Sequence, residues 1–224
     1  MASITQPDEV DALHQAIWRE LAEPGDWWRG DERMAVAAEV RAARCCPLCT
    51  DRLQALSPNG VIGSHQSCTA LPFDALEVVH RVATDPNRLT RSWGEARLAA
   101  LGAGPYAELV AVTAMVVALD VYRVASGEEI GPISCGDAGE PARTTPDGLG
   151  DIGAWVPMTT EKALANVSRA LTSLPVTNRT WRRLVNDSYS RGPEMLALTW
   201  ERALSRPQIE LIAARVSTLN ECFY

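Results

Sequence analysis

The residues best placed to do chemistry lie in one short stretch, Cys46-Pro47-Leu48-Cys49, followed by His65-Gln66-Ser67-Cys68. Residues three apart on a helix share a face, and Pro47 suits the first helical position. The two thiols therefore belong to a helix's first turn, where unpaired backbone N–H groups and the helix dipole favour a thiolate. A thiol with a lowered pKa is a nucleophile, and a neighbouring thiol can resolve it. That permits a cycle of peroxide attack, sulfenic acid, disulfide and re-reduction. The same residues also read as Cys46-x2-Cys49-x15-His65-x2-Cys68, close to the spacing of a structural zinc site. Zinc there would staple the loop after the third helix, although ligand pairs more often sit on a tight knuckle than on a proline-started helix. Redox and metal use of the cysteines are both open.

Other candidates are weaker. His65, in an exposed Gly-Ser-His-Gln-Ser-Cys loop, is the histidine nearest the cysteines and can serve the site. His80, beside Val78 and Val79, reads as a satisfied, half-buried histidine, and His14 as a surface residue. Glu108 and Asp120 flank an apolar helix, where capping or solvent-facing roles outrank a proton relay. Cys135 reads as a bystander and Cys45 as a packing residue. The seven tryptophans are core anchors, because nothing spaces them as a base-stacking platform.

Composition narrows the function class. The 224 residues are 46% hydrophobic and 22% charged, enough for a sizeable core in one large or two small domains. A net charge of -7, with Lys162 as the sole lysine, argues against nucleic-acid binding. The N-terminus has neither a basic n-region nor an apolar h-region, and the longest apolar run, 109–119, is too short to span a bilayer. The expectation is a cytoplasmic protein without membrane partners, its cysteines mostly reduced.

Helical periodicity dominates, and no alternating run reads as a strand. Helices are expected at 8–22, 31–44, 47–56, 73–84, from a Ser92–Glu95 capping box to about 102, and at 105–126. Seven glycines and four prolines fill 127–160. Further helices are expected at 161–173, 177–190, 193–204 and from 207. This gives a first helical half over 1–127, a Gly/Pro-rich linker over 128–160 and a second half over 161–224.

The two halves echo each other. With Cys46 opposite Cys222, Ala37-Ala38 falls on Ala213-Ala214 and Val40 on Val216, and each helix leads into a cysteine. Duplication would give a pseudo-twofold pair of helical halves. The segment 206–224 resembles the signature helix of the alkylhydroperoxidase D-like proteins, the carboxymuconolactone decarboxylase superfamily. In that pattern a Glu lies twelve residues before the first Cys of C-x-x-C, as Glu210 does before Cys222, and a His follows four after the second. The stretch through Val79, Leu89-Thr90, Glu108-Leu-Val and Ser126-Gly127 is similar to the helices that follow the motif in peroxidase-related members.

The resemblance implies an all-α bundle of alkylhydroperoxidase D-like type and a homo-oligomer with its site near subunit contacts. It also implies that Glu210 serves the proton relay, Cys222 is a resolving thiol, and Cys49 attacks with Cys46 resolving. The first copy departs from the pattern, with Leu53 at the His position and Met34 at the Glu position. Glu32 and Glu39 are nearby carboxylates, and His65 or His80 could supply an imidazole from elsewhere. The second copy's attacking cysteine and histidine would fall beyond Tyr224. The leading expectation is thus a peroxidase without a cofactor, taking a small hydroperoxide and a thiol or dithiol reductant. Its candidate catalytic residues are Cys46, Cys49, Cys222, Glu210 and His65. The alternatives are a zinc-stabilised helical binding or scaffolding protein, with Cys46, Cys49, His65 and Cys68 as ligands, and a non-redox superfamily enzyme acting on a lactone or carboxylate.

Overall fold

A computed structural model describes residues 7–162, 166–188 and 203–219. Among these the chain is mostly helical: α1 (Pro7–Ala22), α2 (Gly30–Ala43), α3 (Pro47–Gln54), α4 (Phe73–Thr84), α5 (Arg91–Leu101), α6 (Ala103–Ala125), α7 (Asn166–Arg169), α8 (Pro175–Ser188) and α9 (Arg206–Leu219). The only strands among the described residues are two-residue pieces, β1 (Leu149–Gly150) and β2 (Met158–Thr159), paired antiparallel. No helix among the described residues is long and apolar enough to cross a membrane.

Helix α6 is apolar on nearly every side and runs through the centre, packed against α2, α4, α5 and α8. Leu109, Val112, Met115, Val116 and Leu119 meet Ile17, Leu21, Val36, Val40, Val78 and Val79 in one core, which Leu184 of α8 also joins. Gly102, at φ +86°, breaks the chain between α5 and α6, a left-handed position that glycine adopts without strain. Thr90, not Ser92, caps α5: its hydroxyl accepts the Trp93 N–H at 3.3 Å, and Ser92 already lies within the helix.

The Gly/Pro-rich stretch is tied to the α1–α2 corner. Asp137 donates to Ala22 O at 2.8 Å and accepts from Asp31 N at 3.1 Å, while Ala142 and Arg143 bond to Gly25 and Asp26. Gly136 passes so close that a Cβ there would collide with the Gly30 carbonyl. The same stretch sends Ile133, Trp155 and Val156 against the core. Of the expected helix at 161–173, the described residues hold α7 and the turn after it, while 163–165 and most of the helix expected at 193–204 lie outside the described residues.

Three side chains expected near solvent are buried. His14 packs edge-on against Tyr122, with centroids 4.6 Å apart. Asp120 is bracketed by Arg41, at 2.9 and 3.0 Å. Glu108, with no exposed surface, accepts N–H groups from Asp26, Trp27 and Trp28 and a hydroxyl from Thr177, and faces Arg33 at 3.4 Å. The α1–α2 corner folds over Glu108, and its orphan N–H groups need an acceptor. Asp26 in turn accepts from Val176 and Thr177 at the start of α8, fastening that helix to the same corner. Cys45, expected to pack, is instead exposed.

Candidate metal centre

Helix α2 ends at Ala43, and the chain turns through Cys45 into Cys46, whose extended backbone (φ −72°, ψ 122°) precedes Pro47 at the first position of α3. Cys49 follows in the first turn, as its spacing predicts. The loop after α3 has no regular secondary structure from Val61 to Ser67 and brings His65 back over this turn. Helix α4 packs against both α2 and α3, and its buried face carries Glu77, Val78 and His80 inward.

Four ligand atoms converge there. Cys46 Sγ and Cys49 Sγ each lie 3.6 Å from His65 Nδ1, and Cys49 Sγ lies 3.4 Å from His80 Nδ1. Ligand atoms of Cys46, Cys49, His65 and His80 all fall within 4.8 Å of one another. The two imidazoles are tilted by 44°, with centroids 4.2 Å apart. All four side chains are removed from solvent: Cys46 0%, Cys49 3%, His80 0% and the His65 side chain 1% exposed.

Each imidazole turns its other nitrogen to a carboxylate. His65 Nε2 lies 2.8 Å from Glu77 and His80 Nε2 lies 2.9 Å from Glu39. Burial opposes ionisation of both acids. For Glu39 this is outweighed by hydrogen bonds from His80, Thr69, Ser67 and the Cys68 N–H, and for Glu77 by those from His65, Trp93 and Arg52. Both are held down at about 2. Ionised at neutral pH, both carboxylates accept Nε2–H protons; a neutral imidazole then turns its Nδ1 lone pair to the sulfurs, whereas a protonated His65 donates from Nδ1 to Cys46.

The thiols diverge. Burial opposes ionisation of Cys46, but the Cys49 and Gln66 N–H groups and the His65 ring bring its thiol down to about 7. Burial, reinforced by the neighbouring Cys46 charge, pushes Cys49 up to about 12. Burial works against His65 too, but Glu77 and Cys46 raise its pKa overall; in His80 burial outweighs Glu39 and lowers it. Unaided, the pair carries at most one negative charge near neutral pH, on Cys46. A dication among the four atoms reverses that balance, because coordination deprotonates a thiol outright.

Of the residues singled out in the sequence, Cys46, Cys49 and His65 meet. The fourth place expected for Cys68 is taken by His80. Cys68 is exposed, and its backbone N–H is bound to Glu39 at 2.9 Å. The His65 side chain is buried while Cys68 is exposed and outside the cluster, so the two do not form one ligand pair. Glu210 is exposed on α9, 3.7 Å from Arg206. Cys222 lies outside the described residues. Glu77 was not singled out from sequence, and Glu39 only as a carboxylate near the first cysteine pair. The available signal was a histidine among the valines of an amphipathic helix's buried face, with Glu77 three residues before it.

No protein-family model, curated protein or solved structure matches this chain.

Proposed function

We propose that this chain is a zinc-stabilised helical binding module in which Cys46, Cys49, His65 and His80 hold one zinc ion. The carrying observation is the edge length of the cluster. Zinc–sulfur bonds of about 2.3 Å and zinc–nitrogen bonds of about 2.0 Å, at tetrahedral angles, separate S from N by roughly 3.5 Å. The three close S···N separations are 3.4, 3.6 and 3.6 Å. A two-sulfur, two-nitrogen donor set suits zinc. Carboxylates behind both imidazoles are the usual outer partners of metal-bound histidine, fixing tautomer and ring orientation.

Four protein ligands leave no position for substrate, so the ion's role is structural. It links three pieces of chain: the α2–α3 turn, the 55–72 loop and α4. Around the cysteines the local core consists only of Cys46, Leu48, Cys49 and Val61. Metal coordination supplies the cohesion that such a small cluster lacks. Cobalt(II) substitution tests the reading. One equivalent should give the visible absorption of a tetrahedral thiolate site, and chelation should lower helicity or melting temperature. Featureless spectra with unchanged folding would remove it.

A second reading, thiol-dependent reduction of a hydroperoxide, is favoured by the Cys46 thiol at about 7 beside His65. In it the Cys46 thiolate takes the distal peroxide oxygen, an alcohol leaves, and Cys49 condenses with the sulfenic acid to release water. A dithiol reductant then restores both thiols. Peroxide-treated, metal-free protein should show a Cys46–Cys49 disulfide and catalytic turnover. Disulfide formation without turnover would leave only the zinc reading.

A further inference from the structure

Residues 53–73 contain no Asp, Glu, Lys or Arg, the longest such run in a chain that is 22% charged. The next longest, 109–119, lies in the buried α6, where an absence of charge is expected. The run at 53–73 is different, because it reaches the surface. Leu56 is 102% exposed and Ile62 94%, the two most exposed large apolar side chains among the described residues. Every other exposed large apolar residue lies within two positions of a charged one; these two do not.

The loop carrying Ile62 has the side-chain alternation of a strand. Val61 packs on Cys46, Leu48 and Cys49, a Cβ on Gly63 would sit 3.0 Å from Leu48, and the His65 side chain is buried in the cluster. Ile62, Ser64 and Gln66, between and after them, are exposed. Arg52 Nε donates to Val61 O at 3.2 Å and holds the loop along α3. From Val61 to Ser67 the chain makes no turn, and no backbone–backbone hydrogen bond among the described residues reaches 62–67. The Gln66 N–H is taken by Cys46, which leaves 62–65 as a free edge. An unpaired edge is a template for another strand.

The charge pattern selects the occupant. A strongly acidic or basic partner finds no counter-charge on this run, and Arg88, which binds Ala55 O at the end of α3, is itself paired with Asp85. Two chains of net charge -7 repel each other, so they meet most favourably where neither presents a charge. The cores of protein interfaces are depleted in charged residues. The same neutral patch on both copies meets these conditions, and antiparallel strand pairing has the twofold symmetry of such a contact.

We propose that a second copy of this chain docks on the end of α3 and the loop after it, with Leu56 and Ile62 at the contact and the backbone of 62–65 paired antiparallel with its counterpart. Neither the exposure of these residues nor the missing charges depends on the metal assignment.

Sedimentation velocity of the full chain as purified, over a range of concentrations, tests the proposal. A reversible dimer is expected. Leu56→Asp and Ile62→Asp, both at exposed side chains, should keep the wild-type circular dichroism and weaken dimerisation about tenfold or more, as an unpaired charge in an apolar contact does. Leu211→Asp, at an exposed side chain of α9, should leave the dimer intact. Amide exchange at Gly63 and Ser64 should be slower in the dimer than in monomeric Ile62→Asp, and equal rates would remove the strand pairing. A monomer at every concentration would overturn the proposal, as would a dimer that survives both Leu56→Asp and Ile62→Asp or that Leu211→Asp alone breaks.

Discussion

Replacing Glu39 with Gln isolates the role of the outer carboxylate, because shape is conserved and only charge and one acceptor change. In the wild type Glu39 Oε2 faces His80 Nε2, while Oε1 takes the Ser67 hydroxyl (2.7 Å), the Thr69 hydroxyl (2.7 Å) and the Cys68 N–H (2.9 Å). The amide oxygen of the substituted side chain can replace Oε1, but its NH₂ then meets the His80 Nε2–H, donor against donor. His80 must move its proton to Nδ1, the atom 3.4 Å from Cys49 Sγ, and so loses the lone pair that binds metal. Flipping the amide instead leaves the Cys68 N–H facing a donor. Loss of such a partner lowers metal affinity by about 10- to 100-fold, or about 1.4–2.8 kcal/mol. Competition against a chromophoric chelator measures this directly, with circular dichroism confirming the fold. An affinity within about twofold of wild type would refute the assignment of Glu39 as the group that orients His80.

Cys68→Ser should leave zinc stoichiometry and affinity unchanged, whereas His80→Ala should abolish tight binding. The reverse result in a chelator competition would restore the Cys68 ligand set. Acid should unfold the metal-free protein progressively. Glu39 and Glu77 sit at about 2 against an ordinary 4.5, so their stabilisation is complete above about pH 4.5 and fades as pH falls towards 2. Glu77→Gln should flatten the fall in melting temperature over that window, and an unchanged slope would count against the paired-carboxylate account. Glu108→Ala strands the buried Arg33 guanidinium and three backbone N–H groups. Denaturant titration should show a loss of about 3–5 kcal/mol; a loss below about 1 kcal/mol would mean that the corner reorganises.

The helices were legible because their starts and stops are local: Pro47 opens a helix, and Pro24-Gly25, Gly102 and Gly127 end theirs within a residue or two. Cys46, Cys49 and His65 were legible through type and proximity in sequence. His80 was not, because its place in the cluster comes from α4 packing on α2 and α3, a tertiary fact that the spacing of His65 and Cys68 imitates. The same holds for Glu108. Its burial depends on a corner 80 residues away that brings N–H groups needing an acceptor. The helix 206–219 resembles 32–43 in sequence pattern, yet it has no buried residue where α2 has eight.

The central claim is that four side chains hold one metal ion. X-ray absorption on protein purified without added metal, with elemental analysis, tests it most directly. About one zinc per chain is expected, with about two sulfurs near 2.3 Å and two nitrogens near 2.0 Å. Metal-free protein that takes up no zinc, or a zinc shell without sulfur, would contradict it.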